Sequence, residues 1–372
     1  MRANIALASL FATSLTFLSK VVAEPDPNFH IYLAFGQSNM EGQGSIEEQD
    51  LIPEERFKMI STTEGCNDRH LGEWYDAVPP LASCIGRLGP VDYFGRTLVK
   101  KLPEEIKVGV VVVAVAGCDI QLFEKDNYQN YTIPDWMQPI VDVYEGNPYG
   151  RLIDMAKKAQ EVGVIKGILL HQGETNTAQK TWPARVKNVY EDMLNDLGLK
   201  AEEVPLLAGE VVHESNNGHC AIHNEIIDIL PDVIPTCHVI SSKDLPAQDD
   251  DVHFTSESYR KFGERYANEM LKILGYEEKN TNENECWSTA LGYACCVGPK
   301  KVIVEDEHGQ WGAQNGEWCG IIPNDSDCWA EKEGYECCTT DKCQTVIATD
   351  DAGQWGAQNG EWCGITDKNT IC

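Results

Sequence analysis

Short apolar runs alternate with amphipathic segments through most of the chain. The apolar runs are nearly continuous and end in glycine or polar residues: HIYLAF, VGVVVVAVAG, VIKGILLHQG and VPLLAGEV. Runs of this kind are typical of parallel strands that are covered on both faces. The segments between them carry apolar residues at helical spacing, as in GRLIDMAKKAQEVG, WPARVKNVYEDMLNDLG and TSESYRKFGERYANEMLKILG. This alternation predicts an α/β fold, a three-layer α/β/α sandwich with a mainly parallel sheet.

The pattern changes after Gly275. Residues 276–285, YEEKNTNENE, are polar and have no periodicity, which is typical of a linker. Two copies of one motif follow: they open at Cys286 and Cys328 with CW and GY.CC, and both close with GQWGAQNGEWCGI. An identical phrase of this length indicates duplication. We therefore predict one α/β domain over residues 24–275 and two small modules over residues 286–321 and 328–372.

The first 23 residues have the three regions of a secretory signal peptide. Arg2 precedes an apolar stretch, and the small-residue pattern at Val21 and Val22 predicts cleavage after Ala23. The stretch is short for a membrane span. The sequence therefore predicts a soluble, secreted, extracellular protein.

Fifteen cysteines suit an oxidising destination, and ten of them lie between Cys286 and Cys372. Modules of this size rarely have a sufficient apolar core, so covalent cross-links are expected. Adjacent cysteines do not match the usual spacing of zinc ligands, which favours disulfides over a metal site. The pairs that we favour are Cys66–Cys84, Cys220–Cys237 and, in the second module, Cys343–Cys372, with Cys118 left as a free thiol.

The formal net charge is −29, from 59 acidic and 30 basic residues. Such a surface repels nucleic acids and anionic membranes, because their phosphates need lysine and arginine partners. Neutral polymers such as polysaccharides remain compatible partners.

Ser38 stands at the end of the first apolar run, in HIYLAFGQSNMEGQGS. A tight turn at a strand end exposes a nucleophilic serine near helix N–H groups that stabilise negative charge. A serine in the same place can also simply cap the helix. A second segment, AQDDDVHF, places Asp250 three residues before His253, so that the carboxylate can orient the imidazole of a general base. Asp249 and Asp251 are neighbouring carboxylates on the same loop.

Two further strand ends carry candidates for stabilising an oxyanion. Gly117 follows the second apolar run, and LLHQGETN places the amides of Gln172 and Asn176 after the third. In this segment His171 and Glu174 could instead be buried polar groups that brace the loop. Two long aromatic-bearing segments, EGCNDRHLGEWYDAVPPLASC and FEKDNYQNYTIPDWMQP, are expected to wall the cleft.

The segments FGQSNMEG, AVAGCDI, HQGETN and DDDVHFT together resemble the SGNH hydrolase superfamily, within it the family 6 carbohydrate esterases and the sialate O-acetylesterase-like group. The resemblance covers residues 29 to 275. It implies that Ser38 is the nucleophile and a backbone oxyanion donor, that His253 is the base and Asp250 its partner, and that Gly117 is a second backbone donor. The third block reads QGETN where the superfamily has GxND, so the side-chain donor is Gln172 or, as the alternative, Asn176. No metal or organic cofactor is required.

The two modules resemble the cysteine-rich dockerins of anaerobic fungi, which are also similar to family 10 carbohydrate-binding modules. Such dockerins attach enzymes to the scaffold proteins of complexes that degrade plant walls. The resemblance implies a scaffold protein as partner, with cellulose as the alternative. Some recurring aromatic residues must form the small cores and others would bind the partner; the tryptophans concerned are Trp311, Trp318, Trp355 and Trp362.

The combined expectation is a secreted carbohydrate O-acetylesterase that acts on acetylated xylan. Two alternatives remain open. The same catalytic blocks could serve sialate or another O-acetylated sugar, or the α/β domain could be an inactive part of a cellulose-binding protein.

Overall fold

The computed structural model describes residues 24–276 without a break. In the C-terminal part it describes residues 288, 291, 293–296, 302–306, 308–314, 317–321, 330, 334–335, 337–338, 345–350, 353–358 and 361–365. The predicted signal peptide, most of the linker and the Cys343–Cys372 pair lie outside the described residues. The chain divides into two compact units, Met1–Glu277 and Glu278–Cys372.

The first unit is built on a sheet of seven strands in the order β3-β2-β4-β1-β5-β6-β7. All neighbouring strands are parallel except β2 and β3, which are antiparallel. The mainly parallel sheet predicted from the apolar runs is confirmed. The strands are β1 (Phe29–Gly36), β2 (Phe57–Ile60), β3 (Trp74–Asp76), β4 (Lys107–Ala114), β5 (Val164–His171), β6 (Leu206–Gly209) and β7 (Cys237–Ile240).

Helices cover both faces of this sheet. They are α1 (Ser38–Glu41), α2 (Pro90–Lys101), α3 (Gln138–Asp142), α4 (Pro148–Gln160), α5 (Trp182–Leu197), α6 (Asn224–Ile227), α7 (Leu230–Val233) and α8 (Ser256–Ile273). The side chain of Thr255 accepts a hydrogen bond from the N–H of Ser258 at 3.2 Å, so Thr255 is the N-cap of α8.

Successive residues of β4 enter opposite apolar clusters, as a strand covered on both faces requires. Val111 and Val113 pack with α4 and α5 on one side, while Val110 and Val112 pack with α2 and α8 on the other. The three-layer sandwich is therefore confirmed. No helix among the described residues is both long and apolar enough to cross a bilayer.

The cysteines of the first unit follow the expectations only in part. Cys66 and Cys84 form a disulfide, and Cys118 is a buried free thiol, as predicted. The predicted Cys220–Cys237 pair is wrong, because both residues are buried free thiols. Cys237 begins β7, whereas Cys220 lies in the loop that follows β6, next to the carbonyl oxygen of Glu174. Because β6 and β7 are parallel, the start of β7 and the loop after β6 lie at opposite ends of these strands.

The second unit contains two small sheets, each built around an antiparallel hairpin, and the four-stranded sheet of the first module also has one parallel pair of strands. The first module forms β8 (Ala294–Cys295), β9 (Val304–Glu305), β10 (Gln310–Gln314) and β11 (Glu317–Ile321), and the second forms β12 (Ala348–Thr349), β13 (Gln354–Gln358) and β14 (Glu361–Ile365). The identical GQWGAQNGEWCGI phrases form hairpins in the same register. Disulfides join Cys296 to Cys319 and Cys338 to Cys363, which confirms the expected cross-links among the described residues.

The four tryptophans that the structure describes in the modules divide into two pairs. Trp311 and Trp355 are each 8% exposed, and their indole N–H groups donate to Oδ2 of Asp306 and Asp350 at 2.9 Å. Trp318 and Trp362, in contrast, are 46% and 47% exposed. Of the two described tryptophans in each module, one thus lies in the core and the other is exposed to solvent.

Candidate active site

The first strand ends in a turn that brings the chain close to β5. Gly36 has φ +152°, and a Cβ at this position would lie 2.0 Å from the carbonyl oxygen of His171. Only glycine allows this approach. Gln37 then serves as the N-cap of α1, and Ser38 is its first residue, so Ser38 does not cap the helix.

Ser38 instead faces the loop before α8. Its Oγ lies 2.9 Å from Nε2 of His253, and Nδ1 of His253 lies 2.6 Å from Oδ2 of Asp250. The other carboxylate oxygen of Asp250 accepts the N–H groups of Val252 and His253 at 3.0 and 2.9 Å. Partial burial alone would raise the pKa of Asp250, but these bonds to His253 and Val252 outweigh it and lower the pKa. Asp250 therefore stays ionised and orients the imidazole.

Asn39, the residue after Ser38, binds the backbone on both sides of His253. Its Nδ2 donates to the carbonyl oxygen of Val252 at 2.9 Å, and its Oδ1 accepts the N–H of Phe254 at 3.4 Å. The hydroxyl of Tyr259 in α8 donates to the same Oδ1. The Asn39 side chain is fully buried. Its amide therefore links the helix of Ser38 to the loop of His253 directly.

His171 and Glu174 lie beneath this arrangement. Oε1 of Glu174 accepts a hydrogen bond from Asn39 and lies 3.3 Å from Nε2 of His171. Burial would raise the pKa of Glu174, but the imidazole of His171 and the amide of Asn39 lower it. Both residues are buried and brace the loop after β5, which is the structural role that the sequence analysis gave as an alternative for them.

The backbone of Gly117 lies on the wall of the same cavity as Ser38 and His253, as the sequence predicted. Gly117 has φ +73° and its carbonyl oxygen accepts the hydroxyl of Thr175 at 2.9 Å. Within residues 24–276 the N–H groups of Ser38 and Gly117 have no hydrogen-bond acceptor. Two backbone donors are thus available beside the serine.

The structure does not bring the amides of Gln172 and Asn176 to the cavity wall. Nε2 of Gln172 donates to Oε1 of Gln37, the carbonyl oxygen of Cys118 and Oδ1 of Asn176, at 3.2, 3.1 and 2.6 Å. Its oxygen accepts the indole N–H of Trp182. This differs from the expected side-chain oxyanion donor, because buried partners already occupy the amide of Gln172.

Asn176 is likewise fully occupied. Its Nδ2 donates to Oδ2 of Asp119 and to Oε1 of Gln179 at 2.6 and 2.8 Å, and its Oδ1 accepts the N–H of Ile120 at 3.0 Å. Asn176 therefore ties the loop after β5 to the segment after β4. It holds two walls of the site together from behind.

The cavity in front of Ser38 has a volume of about 400 Å³. Its wall includes two residues that the sequence reasoning did not single out, Gln37 and Trp136. Oε1 of Gln37 accepts bonds from Gln172, Gly173 and, at 3.4 Å, Thr175, which leaves the NH₂ group of Gln37 as a further donor. In the sequence, the position of Gln37 next to Ser38 was the only indication that Gln37 belongs to the site. Trp136 was one residue of the long aromatic-bearing segment FEKDNYQNYTIPDWMQP.

This geometry can perform acyl transfer through a serine. The Ser38 hydroxyl is within hydrogen-bond distance of the His253 imidazole, and this imidazole contacts an ionised carboxylate. Ser38 and Gly117, whose N–H groups have no acceptor within residues 24–276, both line the cavity. No group of three or more His, Cys, Asp or Glu side chains suited to a metal ion occurs among the residues that the structure describes.

The fold and the site define a class of protein: three-layer α/β/α sandwiches with a serine after the first strand and a histidine before the last helix. The chain belongs to the family described as carbohydrate esterase, sialic acid-specific acetylesterase, which it matches over residues 28–272, more than half of its length. Residues 285–321 and 327–365 each match a cellulose or protein binding domain.

Solved structures share the fold of the first unit. An Arabidopsis thaliana protein superposes with a TM-score of 0.52 at 19% identity, covering 66% of this chain and 99% of the other. The protein NanS superposes with a TM-score of 0.51 at 13% identity, covering 68% and 99%.

Two curated relatives match short stretches in the C-terminal part of the chain. Mannan endo-1,4-beta-mannosidase A of a Piromyces species is 56% identical over 41 residues, which are 11% of this chain and 7% of the relative. Feruloyl esterase B of Piromyces equi is 48% identical over 53 residues, 14% of this chain and 10% of the relative. The chain therefore spans a small fraction of the length of these relatives.

Proposed function

We propose that this protein is a secreted carbohydrate O-acetylesterase that removes acetyl groups from plant-wall polysaccharide, with acetylated xylan as its substrate. The observation that carries the proposal is the contact of Ser38 Oγ with His253 Nε2 at 2.9 Å, backed by Asp250. A free serine hydroxyl is a weak nucleophile at neutral pH, so a base in this position is what gives the serine its reactivity.

The reaction proceeds in two halves. Ser38 Oγ attacks the acetyl carbonyl carbon while its proton passes to Nε2 of His253, and Asp250 stabilises the imidazolium. The tetrahedral intermediate collapses, the sugar oxygen leaves with the proton from His253, and acetyl-Ser38 remains. Water then attacks this ester with His253 as the base. Acetate leaves and the proton returns to Ser38.

The developing oxyanion needs donors on the cavity wall. The N–H groups of Ser38 and Gly117 supply two, and the side-chain donor was expected from Gln172 or Asn176. The occupied amides of these two residues favour Gln37 as the third donor, with Gln172 fixing its orientation through the contact at 3.2 Å. Loss of one such donor typically lowers kcat by about 100-fold or more.

The choice of xylan rests on the modules. Related modules occur in proteins named for mannan, feruloyl-ester and xylan hydrolysis, from Piromyces and Neocallimastix. A shared attachment module supports a shared task, the removal of plant-wall polymers and their substituents. The strongly negative surface is compatible with such neutral polysaccharides.

Replacement of the nucleophile tests the proposal. Ser38→Ala should abolish acetate release from acetylated xylan, by about 1,000-fold or more in kcat. Ser45→Ala, a change of an exposed serine seven residues away, should retain full activity. An active Ser38→Ala protein would overturn the serine mechanism.

A second substrate is favoured by the family match, whose description names sialic acid-specific acetylesterase. Acetate release should therefore be compared for acetylated xylan, acetylated mannan and O-acetylated sialic acid. Faster release from the sialic acid would replace xylan as the substrate and leave the mechanism intact. An absence of release from all three, together with no activity on an aryl acetate, would support the inactive binding protein instead.

The modules are proposed to bind a scaffold protein of an extracellular complex, with cellulose as the alternative partner. The exposed Trp318 and Trp362 support this role, because aromatic side chains dominate binding interfaces. Trp311 and Trp355, which the sequence grouped with them, support the binding face from the core. Capture on purified scaffold protein compared with insoluble cellulose separates the two partners.

A further inference from the structure

Trp136 lines the active-site cavity and is 60% exposed to solvent. The other large aromatic side chains near the sheet are mostly buried. A solvent-exposed indole on the wall of a cavity is the usual mark of a binding surface, since an exposed apolar ring gains free energy only when a ligand covers it.

The exposure of Trp136 is built into the loop. The N–H of the next residue, Met137, donates to the carbonyl oxygen of Pro134 at 2.8 Å, and the Met137 side chain is fully buried in the core. Ile133 also packs against this core. The backbone on both sides of Trp136 is therefore anchored, while its indole is directed away from the core.

The indole also lies against the backbone that borders the serine. A Cβ on Gly117 would lie 2.4 Å from Cη2 of Trp136, so the six-membered ring packs directly on this glycine. Any side chain at residue 117 would displace the indole. The ring thereby stands next to the backbone of Gly117, whose N–H has no acceptor within residues 24–276.

The chemistry of the remaining wall restricts what the ring can hold. Gln43, Glu174, Thr175 and His253 line the cavity with polar groups, and Val252 adds a small apolar surface. One aromatic ring on the same cavity wall as several hydrogen-bonding groups suits a ligand with an apolar C–H face and polar edges. A sugar ring has both, and its C–H bonds are attracted to the negative face of an aromatic ring.

We propose that Trp136 forms a carbohydrate subsite that stacks against the sugar ring carrying the acetyl group and so places the ester between Ser38 and the N–H of Gly117. This rests on the proposed function, and it extends that function by assigning the residue that selects a cyclic sugar as the alcohol part of the ester.

Kinetics with two esters test the subsite. Trp136→Ala should raise KM for an acetylated xylo-oligosaccharide about tenfold and change kcat less than about threefold. Ethyl acetate has no ring to stack, so its kcat/KM should change less than about twofold. Trp136→Phe should retain most of the activity on the sugar ester, and Ile229→Ala, which removes an exposed apolar side chain that is not on the cavity wall, should leave both esters unaffected.

A binding measurement tests the subsite independently of ester hydrolysis. Calorimetric titration of the Ser38→Ala protein with a deacetylated xylo-oligosaccharide should show weaker binding, by about tenfold, when Trp136→Ala is added. This result does not require turnover, so it stands even if the acetylesterase assignment fails.

The experiments distinguish a failure of the subsite from a failure of the proposed function. Equal losses on both esters would mean that the indole only supports the Gly117 backbone, and would overturn the subsite. Unchanged kinetics and binding in Trp136→Ala would do the same. Wild-type protein that binds the oligosaccharide through Trp136 but releases no acetate would refute the proposed function and retain the subsite.

Discussion

Ser38 and Asn39 are neighbours that divide the work of assembling the triad. The hydroxyl of Ser38 contacts the His253 ring, whereas the amide of Asn39 binds the backbone immediately before and after His253. The distance between nucleophile and base therefore depends on a side chain that does not touch the ring itself. Small errors in such a distance are costly, because proton transfer needs aligned groups within hydrogen-bond reach.

We predict that Asn39→Ala lowers kcat by about ten- to hundredfold with little change in KM, since the loop of His253 loses its tie to α1. Asn39→Asp should be at least as damaging, because a carboxylate cannot donate to Val252 and would face the carboxylate of Glu174. Steady-state kinetics check both variants. A rise in KM as large as the fall in kcat would contradict the positioning role. An Asn39→Asp protein that is more active than Asn39→Ala would contradict it as well.

At this scale the sequence predicted the local part of the site. Asp250 and His253 are three residues apart, so their contact follows from one turn of chain. The amides were harder. Gln172 was expected to donate to the oxyanion, yet its partners come from Cys118, Asn176 and Trp182, and no local pattern indicates them.

Helices α2 and α8 cross at close range on one face of the sheet. Gly263 makes this possible: a Cβ there would lie 2.3 Å from the carbonyl oxygen of Pro90 and 2.7 Å from the N–H nitrogen of Phe94. Both atoms belong to the backbone of α2 and cannot move aside cheaply. Since α8 follows directly on the His253 loop, this crossing also anchors the site.

We predict that Gly263→Ala destabilises the protein by about 1–2 kcal/mol, because overpacking costs about 1–3 kcal/mol and helix propensity returns up to about 1 kcal/mol. Denaturant unfolding measures the difference. The matched control is Glu264→Ala on the exposed side of the same helix, which should change the free energy of unfolding by less than about 0.5 kcal/mol. Equal stability of Gly263→Ala and wild type would show that the helices can separate without cost.

Most of the long strands and helices were predictable from the sequence, and most of the short ones were not. Apolar runs indicated the eight-residue strands β1, β4 and β5 and also the four-residue β6, whereas each of the other short strands contains a polar residue: Lys58 in β2, Asp76 in β3 and His238 in β7. The wrong Cys220–Cys237 pair has a related cause. Because β7 was not predicted, the sequence could not show that the two cysteines lie at opposite ends of the strands β6 and β7.

The whole molecule joins one esterase unit to two modules that repeat the same surface. The hairpins agree residue by residue, and each presents one exposed tryptophan supported by a buried tryptophan that is bound to an aspartate. Two equivalent sites on one chain raise the effective concentration of the second site once the first is bound.

We predict that Trp318→Ala or Trp362→Ala alone weakens capture by a scaffold protein, and that the double variant loses more affinity than the two single losses added together. Surface-immobilised scaffold protein gives the comparison. Acetate release from a soluble acetylated sugar should be the same in all three variants, which controls for folding of the esterase unit. If one of the two single variants removed all binding and the other did not, the two modules would not be equivalent.

Features that depend on neighbours along the chain could be derived from the sequence. Apolar runs specified the parallel strands, a three-residue spacing paired Asp250 with His253, and an exact repeat defined the two modules. The tertiary structure alone decided which amides stay free, which cysteines meet and which tryptophans face solvent. Those outcomes depend on contacts between residues that are far apart in sequence, and such contacts exist only once the strands and helices have packed.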